Sequence, residues 1–394
     1  MFRTIEDVQL SANAAGLVSV GPVQTLKFSE NCMSNEYKLI ELPPKLLEKL
    51  QQRESFVIRG ENQEDAILCT KDSTYEIKLA DTSNALLLTP ECQTNKDPGF
   101  KDQTADLIEH QVCSCHSEYF EVRLVRPQLY KLRNLLRETS YRGPEYETKE
   151  NGELRTKVKY SFDDLLNLVQ ASEKEIWDAL EKLGAIAING FWRLLDSDYE
   201  DKVIISILNL LEEKDWNWKR VPFEECCEIL QELEPREILE HCLNRYGERL
   251  NVENEDEQTI LYALNEDKIC QFYAQYLLRP ADRFNYHEFM DSWQQSVPDG
   301  MTTKSDQLSG IALTDMKSHP PVIWHFPYYD LPEKPDMRFM KLFKVRQKWT
   351  FDEIQPYIRD LVESGQSLNA LLLKYARSSK DETGTKVYSS KKPI

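Results

Sequence analysis

Ser161-Phe-Asp-Asp164, Ser172-Glu-Lys-Glu175 and Ala185-Ile-Ala-Ile-Asn-Gly-Phe-Trp-Arg-Leu-Leu195 follow one another closely, and their reading decides the fold. Each Ser-x-x-acid run is a capping box: the hydroxyl meets the backbone N–H three residues on, and the acid reaches back. Leu165, Leu166 and Val169 form an apolar stripe behind the first box, and Ile176, Leu180 and Leu183 share one helix face behind the second. Asn189-Gly190 between two apolar runs predicts a hairpin with a type I′ turn. Helix, turn, helix, hairpin is the element order of a winged helix, a fold that reads nucleic acid or docks proteins and rarely does chemistry.

The same order returns toward the C-terminus. A basic helix, Gln128 to about Arg137, leads the first copy, which spans 121–197 and includes a polar, mobile linker at Tyr141–Gly152. The second copy spans 198–280, with helices over Tyr199–Leu211, Phe223–Leu233 and Pro235–Leu250, a polar wing over Asn251–Leu264 and a closing helix over Glu266–Leu278. The third spans 281–394, with a capping box at Thr350-Phe-Asp-Glu353, a helix over Ile354–Val362 and a last helix over Ser367–Ser379. Phe284–Ile323 resembles a further partial unit, so the count is three or four.

Residues 1–120 read differently. Tyr37–Leu42, Ser55–Arg59, Ala66–Thr70, Thr74–Leu79 and Ala85–Thr89 are short β-rich runs separated by turn residues, and Val112–Leu124 supplies one or two more. One helix starts at Pro43-Pro44 and reaches about Gln52, and Gln93–Asp106 is a polar loop. The fold class is therefore α+β: an N-terminal antiparallel β-barrel-like domain followed by tandem winged helices. So few strands leave open edges, which either partner chains or an internal closure must cover.

Composition narrows the function. The chain has 394 residues, 41% hydrophobic, with 13 Gly, which suits two to four globular domains. It contains no uninterrupted apolar run of about 18 residues, so no membrane span is expected, and the N-terminus lacks the plan of a signal peptide. Nine Cys without framework spacing point to a reducing compartment. Net charge is −18, yet Asp336–Ile394 carries twelve Lys or Arg against seven acids, leaving −23 on the preceding 335 residues. An acidic body with a basic end touches nucleic acid at one place.

A helix that enters a phosphate-lined groove should be basic. Glu173–Leu183 holds four acids and two Lys, and Pro235–Leu250 balances Arg236, Arg245 and Arg249 against Glu237, Glu240 and Glu248. Ser367–Ser379 holds Lys374 and Arg377 and no acid, so only the last copy passes. Lys380, Lys386, Lys391 and Lys392 extend the basic run, Ser378 and Ser379 can donate to phosphate, and Tyr388 can stack on a base. Arg338, Lys341, Lys344, Arg346 and Lys348 lie on one expected helix, of which Arg338, Lys341, Lys344 and Lys348 are possible additional DNA contacts. The competing reading makes all of these ordinary solubilising residues.

Catalytic signals are missing. The chain has no Gly-Lys pair and hence no P-loop. Asp291 stands four beyond His287, where a zinc-protease helix needs a second ligand. His110, Cys113, Cys115 and His116 cluster, but strand alternation puts His116 opposite the Cys pair, and Cys-x-Cys is not ligand spacing. No metal or cofactor is expected. The buried Cys, with Trp177, Trp192, Trp216, Trp218 and Trp293, read as packing residues.

Ile58-Arg-Gly60, Lys71-Asp-Ser-Thr-Tyr-Glu-Ile-Lys78, Ala80-Asp-Thr-Ser-Asn84, Trp293-Gln-Gln-Ser-Val-Pro298, Leu373-Lys-Tyr-Ala-Arg-Ser-Ser379 and Lys386-Val-Tyr-Ser-Ser390 together resemble the defective-in-sister-chromatid-cohesion protein 1 family, along the chain beyond about Ser34. The resemblance implies a non-enzymatic, nuclear subunit of the alternative replication factor C clamp loader. It implies a β domain that joins the chromosome-transmission-fidelity proteins 18 and 8 in a composite triple barrel, and replication factor C small subunits reached through the complex. It also implies docking of the assembled module to the catalytic subunit of DNA polymerase epsilon, and DNA contact without strong sequence preference. The family's basic residues of the last winged helix correspond to Lys374, Arg377 and Lys386, with Lys391 and Lys392 beyond. The implied role is loading or unloading of the sliding clamp in support of sister chromatid cohesion. The alternative is a winged-helix transcription regulator, which requires marked site preference.

Overall fold

Sheet and helices divide the chain between them in the computed structural model, which describes residues 4–17, 23–30, 32, 36–92, 107–149, 158–250, 260–362, 367–381 and 384–391. Two compact units result: Met1–Gln128 with Leu166–Trp177, and Leu129–Leu165 with Asp178–Ile394. The fold is mixed α+β.

The first unit contains α1 (Ile5–Ala14), β1 (Val23–Phe28), β2 (Ile40–Glu41), α2 (Pro44–Gln51), β3 (Val57–Arg59), β4 (Ile67–Cys69), β5 (Thr74–Leu88), β6 (Leu107–Val112) and β7 (Ser114–Val125). Five strands pair in the order β2-β7-β5-β4-β3, and β1 pairs with β6. The expectation of a purely antiparallel sheet is corrected: β2 runs parallel to β7, and β1 parallel to β6. Pro44 starts a helix directly after β2, and that helix carries the chain to β3 at the opposite edge, so β2 has no hairpin partner and pairs instead with β7, far later in the chain. The two runs expected at Thr74–Leu79 and Ala85–Thr89 are one strand of 15 residues. Asp81-Thr-Ser-Asn84 looks like a turn in sequence, but the chain absorbs these polar residues in a register shift between Asp81 and Leu86. The loop expected at Gln93–Asp106 lies outside the described residues.

Burial among the described residues of this unit falls at two places: at the Thr74 end of β5, and where β6 runs into β7, with Val112 and Ser114 fully buried beside His110. Leu46, Leu68, Tyr75 and Val122 make the core at the Thr74 end, with Leu42, Phe56 and Ile77 against it. Beyond Ile77 the long strand leaves that core. Ser172 sits on the same end, fully buried: its Oγ donates to Glu175 Oε2 at 2.7 Å, its N–H donates to Thr74 Oγ1 at 3.0 Å, and the N–H of Lys174 donates to Lys71 O. The second capping box thus forms and ties a helix start to the β4–β5 turn. Replacing Ser172 by Ala should cost about 1–2 kcal/mol in a urea titration of the full chain, since a buried cap and its acceptor are lost together.

From Leu129 on the chain repeats a pattern, of which the stretch Leu166–Trp177 counts with the first unit. After α3 (Tyr130–Glu138) and α4 (Pro144–Lys149) come α5 (Phe162–Leu168), α6 (Glu173–Leu183), β8 (Ile186–Ile188) and β9 (Phe191–Arg193). Asn189 and Gly190 have φ of 52° and 83°, the two left-handed residues that a type I′ turn requires. Then follow α7 (Ser197–Glu213), β10 (Val221–Pro222), α8 (Phe223–Leu230), α9 (Arg236–Tyr246), β11 (Gly247–Leu250), β12 (Leu261–Leu264) and α10 (Glu266–Leu278). Next come β13 (Phe284–Asn285), α11 (Tyr286–Ser296), a 3-10 turn at Ser305–Leu308, β14 (Ala312–Asp315) and β15 (Val322–His325). The last set is α12 (Pro335–Val345), β16 (Trp349–Thr350), α13 (Phe351–Ile354), two 3-10 turns to Leu361, α14 (Leu368–Tyr375), β17 (Ala376–Lys380) and β18 (Lys386–Ser390). Three sheets share one order, β10-β12-β11, β13-β15-β14 and β16-β18-β17, with a short leading strand beside the second hairpin strand. At the first hairpin, an antiparallel bridge from Tyr160 to Trp192 takes that place.

Two helices here end earlier than their periodicity predicts, and one expected linker residue is buried. The helix expected to reach Leu250 stops at Tyr246, because Gly247 turns extended and lies so close to the next strand that a Cβ there would meet Ala263 O at 2.5 Å. Ile354–Val362 breaks into 3-10 turns at Pro356, which lacks an N–H. Tyr141, expected in a mobile linker, is buried edge-on against Tyr199 at 5.4 Å between centroids, and its N–H donates to Leu194 O.

Among the described residues, two cores stand out in the second unit. One runs through Val203, Ile207, Phe223, Leu239, Leu243, Tyr262, Ile269, Phe272, Phe289 and Trp293. The other gathers Leu313, Phe339, Leu342, Phe343, Trp349, Tyr357, Leu372 and Tyr388. Burial pushes the thiols of Cys226 and Cys227 up to about 12 and about 11, so both act as small apolar groups at neutral pH. Trp177 departs from its expected core role: it is 44% exposed.

Candidate nucleic-acid interface

Leu371, Leu372 and Tyr375 fix α14 in the second core, where the Tyr375 ring stacks on Phe339 at 5.1 Å. Ser367 caps its start by accepting from the N–H of Ala370 at 3.2 Å. Asn369, Ala370, Leu373 and Lys374 are left facing water. The helix expected to reach Ser379 ends at Tyr375, because the apolar stripe stops at Ala376 and Arg377-Ser-Ser-Lys380 offers no residue to continue it. Those residues form β17 instead, at the edge of the last sheet.

The basic residues therefore sit on two elements. Lys374 lies at the C-terminal end of α14, its Nζ 5.4 Å from the Tyr375 ring centroid. Arg377, Ser378, Ser379 and Lys380 are exposed along β17. Lys380 stands directly opposite Lys386, and the Lys386 Nζ lies 5.3 Å from the Tyr388 centroid. Like charges in direct opposition repel, so this hairpin carries an unfavourable pair that an anion would relieve. Asp381 closes the turn by accepting from the N–H of Thr385 at 2.9 Å.

Arg377 and Lys391 engage one another's surroundings. The Arg377 guanidinium donates to Lys391 O, while the Lys391 ammonium donates to Leu373 O and Lys374 O at the end of α14. A cation on the last carbonyls of a helix is favourable, so this clasp ties the tail to both hairpin and helix. Lys392 lies outside the described residues.

Two expectations are corrected. Arg338 is 1% exposed and cannot reach nucleic acid: its guanidinium donates to Pro332 O at 2.6 Å, to Tyr357 O at 3.0 Å and to Asp360. It shares the inward face of α12 with Phe339, Leu342 and Phe343, a position that the helical period of basic residues hid. Tyr388 is 3% exposed, so it cannot stack on a base; its register opposite Trp349 puts it in the core. Lys341 is exposed and donates to Asp330 O at 3.2 Å, whereas Lys344 and Lys348 are exposed. Arg346 is bound to Glu353 at 2.8 Å and to Thr314 O.

The opposition of Lys380 to Lys386 and the Arg377–Lys391 clasp escape a reading that runs one helix to Ser379. Asp381 and Gly384, bounded by Arg377–Lys380 and Lys386–Ser390, are the turn signal that could have revealed them. In the other repeats the equivalent helices differ. The water-facing side of α6 presents Glu173, Lys174, Trp177, Asp178, Glu181 and Lys182, and Arg236 on α9 is engaged by Glu224 through two bonds of 2.7 Å.

Arg338→Ala should lower the stability of the full chain by about 3–5 kcal/mol in denaturant titrations, because Asp360 and two carbonyls lose a buried partner. The salt dependence of any DNA binding should stay unchanged in the same variant.

Residues 37–358 match the family model for "Sister chromatid cohesion protein Dcc1". Proteins named sister chromatid cohesion protein DCC1 are similar along the chain. The one from Mus musculus is 42% identical over 100% of this chain and 98% of its own length. The one from Homo sapiens is 42% identical over 100% of both. The one from Saccharomyces cerevisiae is 25% identical over 86% of this chain and 93% of its own length.

Proposed function

The chain belongs to the sister chromatid cohesion protein Dcc1 family, and we propose that it serves there as a non-catalytic, nuclear accessory subunit of the alternative replication factor C clamp loader. In this reading the β unit joins the chromosome-transmission-fidelity proteins 18 and 8 in a shared barrel. The repeats that follow are winged helices that meet DNA and the catalytic subunit of DNA polymerase epsilon. The complex, with its small subunits, loads or unloads the sliding clamp in support of cohesion.

One observation carries the assembly role. Phe28, Ile58, Leu79 and Leu124 are 62%, 59%, 55% and 59% exposed on strands of the first unit. A soluble monomer does not gain by spending large apolar residues on water; such surface marks a place where another chain sits. The sheet order also leaves β2 and β3 as edges, which favours strand addition by a partner. Leu79→Glu with Leu124→Glu should abolish co-purification with the two proposed partners. The same pair should change the stability of the chain alone by no more than about 0.5 kcal/mol, since neither side chain is in a core. Undiminished co-purification of that double variant contradicts the assembly role.

The DNA role divides the basic residues into contacts and supports. Lys374, Lys380 and Lys386, with the hydroxyl of Ser378, are the phosphate contacts; Arg377 and Lys391 hold the hairpin and tail against the helix end. Lys392 extends the contact set. Lys341, Lys344 and Lys348 on and after α12 add charge at longer range. Contacts of this kind carry no base readout, consistent with DNA bound without strong sequence preference. Lys380→Ala with Lys386→Ala should reduce the slope of log affinity against log salt by about 1.8 on duplex DNA, about 0.9 for each contact. Arg377→Ala should weaken binding while moving that slope far less. Equal slopes for the double variant and the unchanged protein rule out the hairpin as the contact.

The acidic face of α6 and the paired Arg236 on α9 suit protein docking better than phosphate. We assign polymerase contact to these earlier repeats on that ground.

A further inference from the structure

Ser378 stands where a reversible change of charge has the largest effect on the terminal hairpin. It lies on the edge strand of its sheet, and it is exposed together with Arg377, Ser379 and Lys380. An exposed edge strand is already extended, the form in which protein kinases bind the segments they modify. Basic residues surround it: Lys374 four positions before, Arg377 one before and Lys380 two after, with no acid between Ser364 and Lys380. Register adds the decisive detail. Ser378 pairs with Tyr388 and Lys380 with Lys386; residues in direct opposition share a face, as does every second residue along a strand. Ser378 thus shares its face with both lysines, whereas Ser379 lies on the opposite face with Arg377.

We propose that Ser378 is a phosphorylation site for a protein kinase that selects basic residues, and that its phosphate releases the hairpin from nucleic acid. The second half of this proposal rests on the reading of the hairpin as a DNA contact. The step is a phosphoryl transfer. Ser378 Oγ attacks the γ-phosphorus of a kinase-bound nucleoside triphosphate, the bond to the β–γ bridging oxygen breaks, and the nucleoside diphosphate leaves. The hydroxyl proton passes to the base of the kinase. The product adds roughly −1.5 to −2 of charge at neutral pH. On the face of Lys380 and Lys386, that charge supplies the acceptor their opposition lacks, and it occupies the donors that a duplex would otherwise use.

The test uses the full-length protein, a purified kinase of the Ser-x-Lys class with magnesium and ATP, and a random-sequence duplex. Mass mapping should find phosphate on Ser378 and lose it in Ser378→Ala. Duplex affinity of the phosphorylated protein should fall by roughly tenfold or more at about 0.1 M salt, and the log–log salt slope should fall by about 1.8, the loss of two phosphate contacts. The proposal is overturned if Ser378 takes no phosphate, or if it does and both affinity and slope are unchanged. Absence of salt-dependent binding by the unmodified protein sinks the DNA reading and the release with it. Full binding before and after phosphorylation sinks the release alone.

Discussion

The apolar surface that a five-stranded sheet cannot bury by itself is the constraint on which this molecule depends. Leu46, Leu68, Tyr75 and Val122 close one end of the sheet. The 15-residue strand β5 then continues for about another eleven residues, none of them buried; at about 3.4 Å per residue that is far beyond the reach of four core side chains. A strand of this length, almost three times the usual five or six residues, pairs with β7 along its far half yet leaves Leu79, Leu86 and Leu87 exposed there. The proposed assembly role rests on that shortage of burial.

The helical unit has the opposite economy. Its cores are large and continuous, and Leu, Phe and Trp side chains buried there each contribute about 1.5–3 kcal/mol. Because packing secures the repeats, their surfaces are free to diverge. An acidic side on α6, an ion-paired Arg236 on α9 and a basic hairpin at β17–β18 sit on one recurring strand order. Charge distinguishes copies that topology makes alike. The unfavourable opposition of Lys380 and Lys386 is tolerated at a hairpin tip, where solvent screens it, and it makes that tip the natural place for an anion.

Local chemistry made much of this legible in the sequence. The three expected capping boxes and the Asn189-Gly190 turn act through neighbours three residues apart or fewer, so sequence reading finds them and the fold contains them. What the sequence hid was decided by contacts distant along the chain. Asp81–Asn84 reads as a turn until β7 pairs across it. Arg338 looks like any surface cation until Tyr357 and Asp360 arrive from about twenty residues away. Helical periodicity misplaces the end of α14 because the strand that captures Arg377–Lys380 starts six residues later, at Lys386. In each case a tertiary partner overrode a local pattern.

Amide hydrogen exchange of the full chain, free and in complex with its proposed barrel partners, tests the central claim most directly. The account predicts that Leu79–Leu88 exchanges quickly in the free chain while Thr74–Ile77 is protected, and that the complex protects both. Equal, strong protection along all of β5 in the free monomer would contradict it, because the sheet would then be complete without another chain.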